Sequence, residues 1–350
     1  MGEIPRATLC GVLTLVTLGA FLAAARRDDA AAAPLAAPTP AEQSALLLRY
    51  KPLLHFQKAE VWPPVKVDQF LRDARLEKQV RNDVWRPTQR KDLPTTKEGC
   101  QFTPCFRLNL PCDLQRRGAG CFPQGAPESE WRQAAVFANF VQVRHPLRLS
   151  GLAERPAYLL RYSYFYYFDD WRTPGRWLWQ VHEGDWETVT IGLSATHQPL
   201  FAAYSQHCSG TWRAWDGGGI EKKGDRPVVY VALGSHAHYF RPVNQPVYLL
   251  RCAYSQNARS RVLRWLKRHT KGERLFDQVD RPRADTTDTQ LVQLPRAQRW
   301  TSFAGVWSEG DYVYTAPRPT PVNRLRIGDG PKTPRFFSDR QKDFWHETTS

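Results

Sequence analysis

The sequence predicts a mainly β fold, an antiparallel β-sandwich with a few peripheral helices, and three observations carry that expectation. Runs rich in aromatic and β-branched residues recur along the chain, and such residues suit pleated, half-buried surfaces. Polar or Gly/Pro-bearing turns separate those runs at the spacing of a sandwich. The composition agrees: of 350 residues 12% are aromatic and 42% hydrophobic, with 13 Trp against one Met. A chain this apolar has enough to bury and is not a disordered one.

Taken in order, residues 1–25 form a signal peptide or a membrane anchor. Ala7 to Ala25 is uncharged, follows Arg6 and ends in three alanines suited to cleavage. The same run is long enough to span a bilayer uncleaved, and Arg26-Arg27 directly behind it keep the anchor open. Residues 26–43 read as an Ala/Pro-rich tether, and residues 44–347 as a single β-sandwich domain with a Cys-rich insertion at about 86–130. Glu42 to Tyr50 and Val67 to Leu76 read as short helices, the second with Val67, Phe70 and Leu71 on one face. Asp83 to Glu130 is polar and rich in turn residues and reads as irregular. Strands are expected at Ala135 to Val143, Ala157 to Phe168, Trp186 to Leu193, Leu200 to Gln206, Pro227 to Leu233 and Val247 to Cys252. Ser260 to Lys271 is the best helix, with a basic last turn that complements the helix dipole. From Trp300 onward, Trp, Gly and Pro suggest a tail wrapped on the surface.

With Cys10 inside the export segment, Cys100, Cys105, Cys112, Cys121, Cys208 and Cys252 remain. An even set in an exported chain reads as disulfides, with the pairing open. Zinc is the weaker alternative, because no C-x-x-C pair occurs. The expected location is secreted, periplasmic or cell envelope, with membrane association through the N-terminal segment. The net charge of +15 is spread without a basic block, so it speaks to anionic partners in general and not to a tail. No nucleic-acid motif occurs, and export argues against that partner. Ser205 and Ser235 lie in no nucleophile elbow, and Gly217-Gly218-Gly219 fits no P-loop.

The chemistry concentrates at His182 to Glu187, HEGDWE. A histidine and three carboxylates this close repel or desolvate one another unless a cation sits among them. Residues two apart in a strand share a face, so Asp185 and Glu187 project together. His182 is placed in the turn before that strand, where Gly184 permits a tight backbone. His207 ends one strand, and His236 and His238 share a face after another. Asp169-Asp170, after the long aromatic strand, offer a further oxygen ligand, and the candidate metal ligands are Asp170, His182, Asp185, Glu187, His207 and His236. Oxygen-rich ligation favours Mg or Ca, with Zn as the alternative. The competing reading is a metal-free polar network in which Asp185 orients His182. Trp186, His238 and Trp212 are the candidate ligand-contacting side chains. Trp177, Trp179, Trp212 and Trp215 flank the motif either as a stacking wall or as packing.

HEGDWE, YSQH and PVVYVALGSHAHYF resemble the vacuolar-sorting-related domain family. The likeness extends to LLLRYKPLLHFQKAEVWPPVKVDQFL near the start and to FAGVWSEGD and GDGPKTP near the end, and leaves out Arg86 to Glu130. A more distant resemblance runs to the necrosis- and ethylene-inducing cytolysins, through His182, Asp185, Trp186 and Glu187. In that family the motif helps hold a divalent cation on a β-sandwich that docks on sphingolipid sugar headgroups. The resemblance implies an ion surrounded by Asp170 or Asp169, His182, Asp185 and Glu187, with His207 and His236 nearby. Glu183-Gly184 inside the motif departs from the cytolysins, so metal binding carries over more safely than lysis. The expected role is binding of a cell-surface glycan or anionic lipid headgroup through a divalent cation. A metal-dependent hydrolase using Glu187 or His236, and a metal-free sorting adaptor, are the alternatives.

Overall fold

The computed structural model describes residues 37–336 apart from 89–91, 97–100, 123, 146, 148, 173–177, 208, 248–263, 266–267, 270–273, 295–297 and 317–319. The expected signal peptide or anchor, most of the expected tether, Cys100, Trp177, Cys208, Cys252 and most of the expected Ser260–Lys271 helix lie outside the described residues. Among the described residues no helix is long and apolar enough to cross a membrane.

The chain is mainly β. Helix α1 (Pro40–Arg49) opens on a capping box, in which Thr39 and Glu42 satisfy each other's main-chain amides. Strand β1 (Leu53–Phe56) follows, then α2 (Val67–Asp73), β2 (Arg75–Arg81), β3 (Val84–Pro87) and β4 (Phe106–Asn109). Two short helices, α3 (Leu114–Arg117) and α4 (Glu128–Arg132), lead into β5 (Ala135–Gln142), β6 (Tyr158–Arg172), β7 (Trp179–Leu193), β8 (Pro199–Gln206) and β9 (Ser209–Ala214). The rest comprises β10 (Lys222–Lys223), β11 (Arg226–Val231), β12 (His238–Tyr239), β13 (Asn244–Val247), β14 (Leu275–Gln278), β15 (Gln290–Gln293), β16 (Asp311–Tyr314) and β17 (Arg324–Gly328).

An eight-stranded sheet runs β15-β5-β6-β7-β16-β17, with β8 also on β7 and β9 on β8. Strands β6 and β7 form its long antiparallel centre. A second sheet joins β1, β10 and β12 to β11. It covers one face of the first: Leu54, Phe56, Val229 and Val231 pack with Tyr162, Tyr164, Val189, Ile191 and Tyr204 in one buried cluster. The sheets are mixed and not purely antiparallel, because β1 runs parallel to β11 and β15 parallel to β5.

The opposite face of the large sheet is covered by α2 and by the segment that the sequence left irregular. Phe106, Leu108, Leu110 and Leu114 are buried there with Phe70, Phe165, Trp186 and Trp307. Strand β4 pairs with β2 in a three-stranded sheet, and Cys112 and Cys121 are disulfide-bonded, with Cα atoms 5.7 Å apart. Cys105 is also disulfide-bonded. The C-terminal part is no surface wrap: β16 pairs with β7, and Trp300, Trp307 and Tyr314 are buried. Indole burial of this size, rather than turn content, decides where that segment goes.

Candidate functional site

HEGDWE lies inside β7, not in a turn before it. The ladder pairs Tyr166 with Asp185 and then Phe168 with Glu183, and skips Tyr167 and Gly184 between them. Gly184 sits there at φ +53°, and a Cβ on it would come within 2.9 Å of the Trp307 carbonyl oxygen. Only glycine meets both conditions without strain. The break turns Phe168 and Glu183 toward the face of Trp186. The carboxylate of Glu183 accepts the amide protons of Leu110 and Glu309 there, at 3.1 and 2.8 Å. Asp169 and His182, paired across the strands, return to the face of Asp185. His182 Nε2 is 3.4 Å from Asp169 Oδ2, and its Nδ1 is 2.9 Å from the Gly184 carbonyl.

His236 reaches the same place from the other sheet. The turn after β11 closes with the Ala232 amide on the Ala237 carbonyl, 3.0 Å, and puts His236 itself at φ +52°. A non-glycine residue in that region is uncommon and is held only by strong surroundings. Its ring stacks flat on Tyr166, with centroids 3.8 Å apart and planes 3° apart. Nδ1 is 3.1 Å from Asp185 Oδ2, and Nε2 is 3.8 Å from Glu60 Oε1. Asp169, Asp185 and His236 each offer one ligand atom, and these atoms lie within 4.8 Å of one another. The group is sunk below the surface: the side chain of His236 is 0% exposed and that of Asp185 11%.

Electrostatics follow from this burial. Burial pushes the Asp169 carboxyl far above the usual range, and Asp185, Asp311 and Asp170 add to it. Burial also lifts Asp311 to about 6, against the pull of His182. Burial alone would lower His236, but Glu60 and Asp185 outweigh it and raise the imidazole to about 9. His207 behaves alike: burial is outweighed by Asp277, and the ring is raised.

The other candidates divide. Asp169, and not Asp170, joins the group, because adjacent strand residues point to opposite faces. Asp170 instead meets Arg172 at 3.3 Å. Glu187 accepts a short hydrogen bond from the Ser205 hydroxyl. His207, at φ +57°, stacks on Trp171 at 4.5 Å and bonds Asp277 at 2.8 Å. Its side chain, 19% exposed, lies at the rim of the cluster. Asp277 also accepts from the hydroxyls of Ser235 (2.6 Å) and Tyr239.

The three expected ligand contacts pack against other side chains. Trp186 is 1% exposed among Phe165, Trp300, Trp307 and Phe336, on the far face of the sheet. His238 is fully buried against the edge of Tyr164, 5.4 Å away. Trp212 packs on Phe201 in a separate apolar cluster. Of the flanking tryptophans, Trp215 packs on Tyr50 and Trp179 on Tyr314. Sequence reasoning missed Glu60, Asp277 and Asp311, which join from distant segments. Glu60 does stand within the LLHFQKAEVWPPV stretch shared with the vacuolar-sorting-related family; Asp277 gave no signal.

Comparison with known proteins finds both resemblances. Residues 179–249 match the family model Vps62, vacuolar protein sorting-associated protein 62, a span that holds HEGDWE, YSQH and GSHAHY. A search of the curated proteins finds no match. Among solved structures, the chain is similar to NLPPya in complex with mannosamine, at 14% identity over 73% of this chain and 76% of that one, with a TM-score of 0.32. Non-toxic HaNLP3 is 11% identical over 76% of this chain and 80% of its own, with a TM-score of 0.31. Necrosis and Ethylene inducing Protein 2, from the causal agent of cocoa's Witches Broom disease, is 16% identical over 59% and 69%, with a TM-score of 0.29. Overlap at these scores is partial and transfers neither ligand nor activity.

Proposed function

We propose that the chain binds a divalent cation between Asp169, Asp185 and His236 and, through it, a glycan or an anionic lipid headgroup outside the cell. One observation carries the reading: two buried carboxylates and an imidazole converge within 4.8 Å, with Asp311 and Asp170 adding negative charge around Asp169. A divalent cation relieves that repulsion and suits mixed carboxylate and imidazole donors. The partly exposed rim at His182 and His207 gives the ion an outer side on which sugar hydroxyls or phosphate oxygens complete the coordination. The Cys112–Cys121 disulfide supports an oxidising compartment.

The test is a binding screen against immobilised glycans and anionic vesicles, run in calcium, in magnesium and in a chelator. The expected result is a ligand retained with the cation and released by chelation. Binding that chelation leaves unchanged for every ligand would end the proposal in favour of a metal-free adaptor.

A further inference from the structure

Glu60 lies outside HEGDWE, YSQH and GSHAH, yet it is one of the most enclosed acids among the described residues, with its side chain 1% exposed. Its carboxylate is held from three directions. Oε1 accepts the amides of Val61 and Trp62, both at 2.8 Å. Oε2 accepts the amide of Gly234 at 2.6 Å, which ties it to the turn that carries His236. The main-chain carbonyl of Glu60 in turn accepts from Arg283 Nη2 at 2.7 Å, and Arg283 lies over the Trp131 ring at 3.8 Å. This carboxylate is therefore fixed by the backbone before it meets any side chain.

The two nitrogens of His236 face different groups. Nδ1 looks toward Asp185 and the ligand group, and Nε2, a buried nitrogen with no hydrogen-bond partner among the described residues, looks toward Glu60 across 3.8 Å, beyond hydrogen-bond length. In a histidine that ligates a metal, the nitrogen turned away from the ion donates its proton to a second group. That bond fixes the tautomer and the ring orientation.

We infer that Glu60 is the positioning carboxylate of the cation site: in the metal-loaded protein it accepts a hydrogen bond from His236 Nε2–H, which keeps the proton on Nε2 and leaves the Nδ1 lone pair facing the ion. The inference rests on the proposed cation site and extends it with a residue from the N-terminal part of the domain. Tyr166, stacked on the ring, sets the plane of the imidazole, and Glu60 sets which edge of it is protonated. The Gly234 bond gives the same carboxylate a second task, since it holds the turn at the height where His236 meets Asp185. Gly234 has no room to move, because a Cβ there would stand 2.1 Å from the Asp170 carbonyl oxygen.

The test compares the wild type with E60Q and E60D. Calcium, magnesium and zinc are each titrated calorimetrically into chelator-stripped protein, and the ring-nitrogen NMR shifts of His236 are read in the zinc-loaded state. E60Q is expected to weaken the metal about 10- to 100-fold and to shift the Nε2 resonance of His236. E60D, which keeps the acceptor charge, is expected to recover part of the affinity. If E60Q does not fold, E60D carries the comparison alone and is expected to show a smaller loss with the same shift. Wild-type protein that takes up no metal would overturn the cation site itself and this role with it. Wild-type protein that binds metal, with variants that bind equally well or that lose only melting temperature, would overturn the role of Glu60 alone.

Discussion

Asp185→Asn is expected to separate cation binding from folding, and the structure gives the size of each effect. Its charged neighbour is His236, whose Nδ1 stands 3.1 Å away; the Asp169 carboxyl, raised far above its usual range by burial, is protonated in the metal-free protein and adds little repulsion. Replacing the carboxylate by an amide that still accepts a hydrogen bond therefore costs the metal-free fold about 2 kcal/mol, the scale of one charged hydrogen bond. The loss stays that small because Glu60 remains beside the imidazole, so the substitution strands no buried charge. The cation has no such offset, since it loses a direct ligand. Outer partners of ligands are worth about 10- to 100-fold in affinity, so a direct carboxylate should be worth about 100-fold or more. Urea denaturation of chelated protein and calorimetric titration with calcium and zinc read the two quantities separately. A variant that binds both metals as tightly as the wild type would refute the placement of the ion. A metal-free variant that fails to fold would refute the charge balance.

Three further outcomes are expected. Trp186→Ala should destabilise the domain by about 3–5 kcal/mol, since the indole is packed among five aromatic neighbours; denaturant midpoints check this, and a change under about 1 kcal/mol would contradict its core position. Replacing Cys112 and Cys121 together with Ser should cost about 3 kcal/mol through the freed loop, read as a lower melting temperature for the pair than for the parent, and equal melting temperatures would oppose it. Asp288 is kept below its usual range, because Arg226 and Lys51 bind it more strongly than burial penalises it. Its contribution is therefore present above the ordinary carboxylate pKa and is lost as pH falls through the lower folded value, so Asp288→Asn and the parent should converge in stability under strong acid; a gap that persists there would show that the pairing is not the cause.

The sheet centre was legible because its residues obey short-range rules. Alternation in AYLLRYSYFYYF and in the second half of β7 placed two long strands, and both exist, each longer than expected. The PVVYVAL strand and its histidine-bearing turn were legible for the same reason. The face of each site residue was less so. His182 and Asp185 are three apart and would oppose each other on a regular strand; the left-handed Gly184 brings them to one side. That break also decides between Asp169 and Asp170. Nothing local announces that Asp277, on β14, would orient His207, or that Glu60 would reach His236, 176 residues later. The first pairing exists only once the β13–β14 pair packs beside β6, and the second only once β1 pairs with β11. The disulfide-bearing segment read as irregular because its strand is four residues long and borrows its partner from β2. The tryptophans that flank the motif read as a stacking wall or as packing; Trp179 and Trp215 pack on Tyr314 and Tyr50, as large indoles gain most from burial.

The most direct measurement is anomalous diffraction from crystals equilibrated with manganese. The account predicts one strong peak at ligand distance from Asp169, Asp185 and His236, and its loss in Asp185→Asn crystals. An empty map at that position, with manganese bound elsewhere or nowhere, would contradict it.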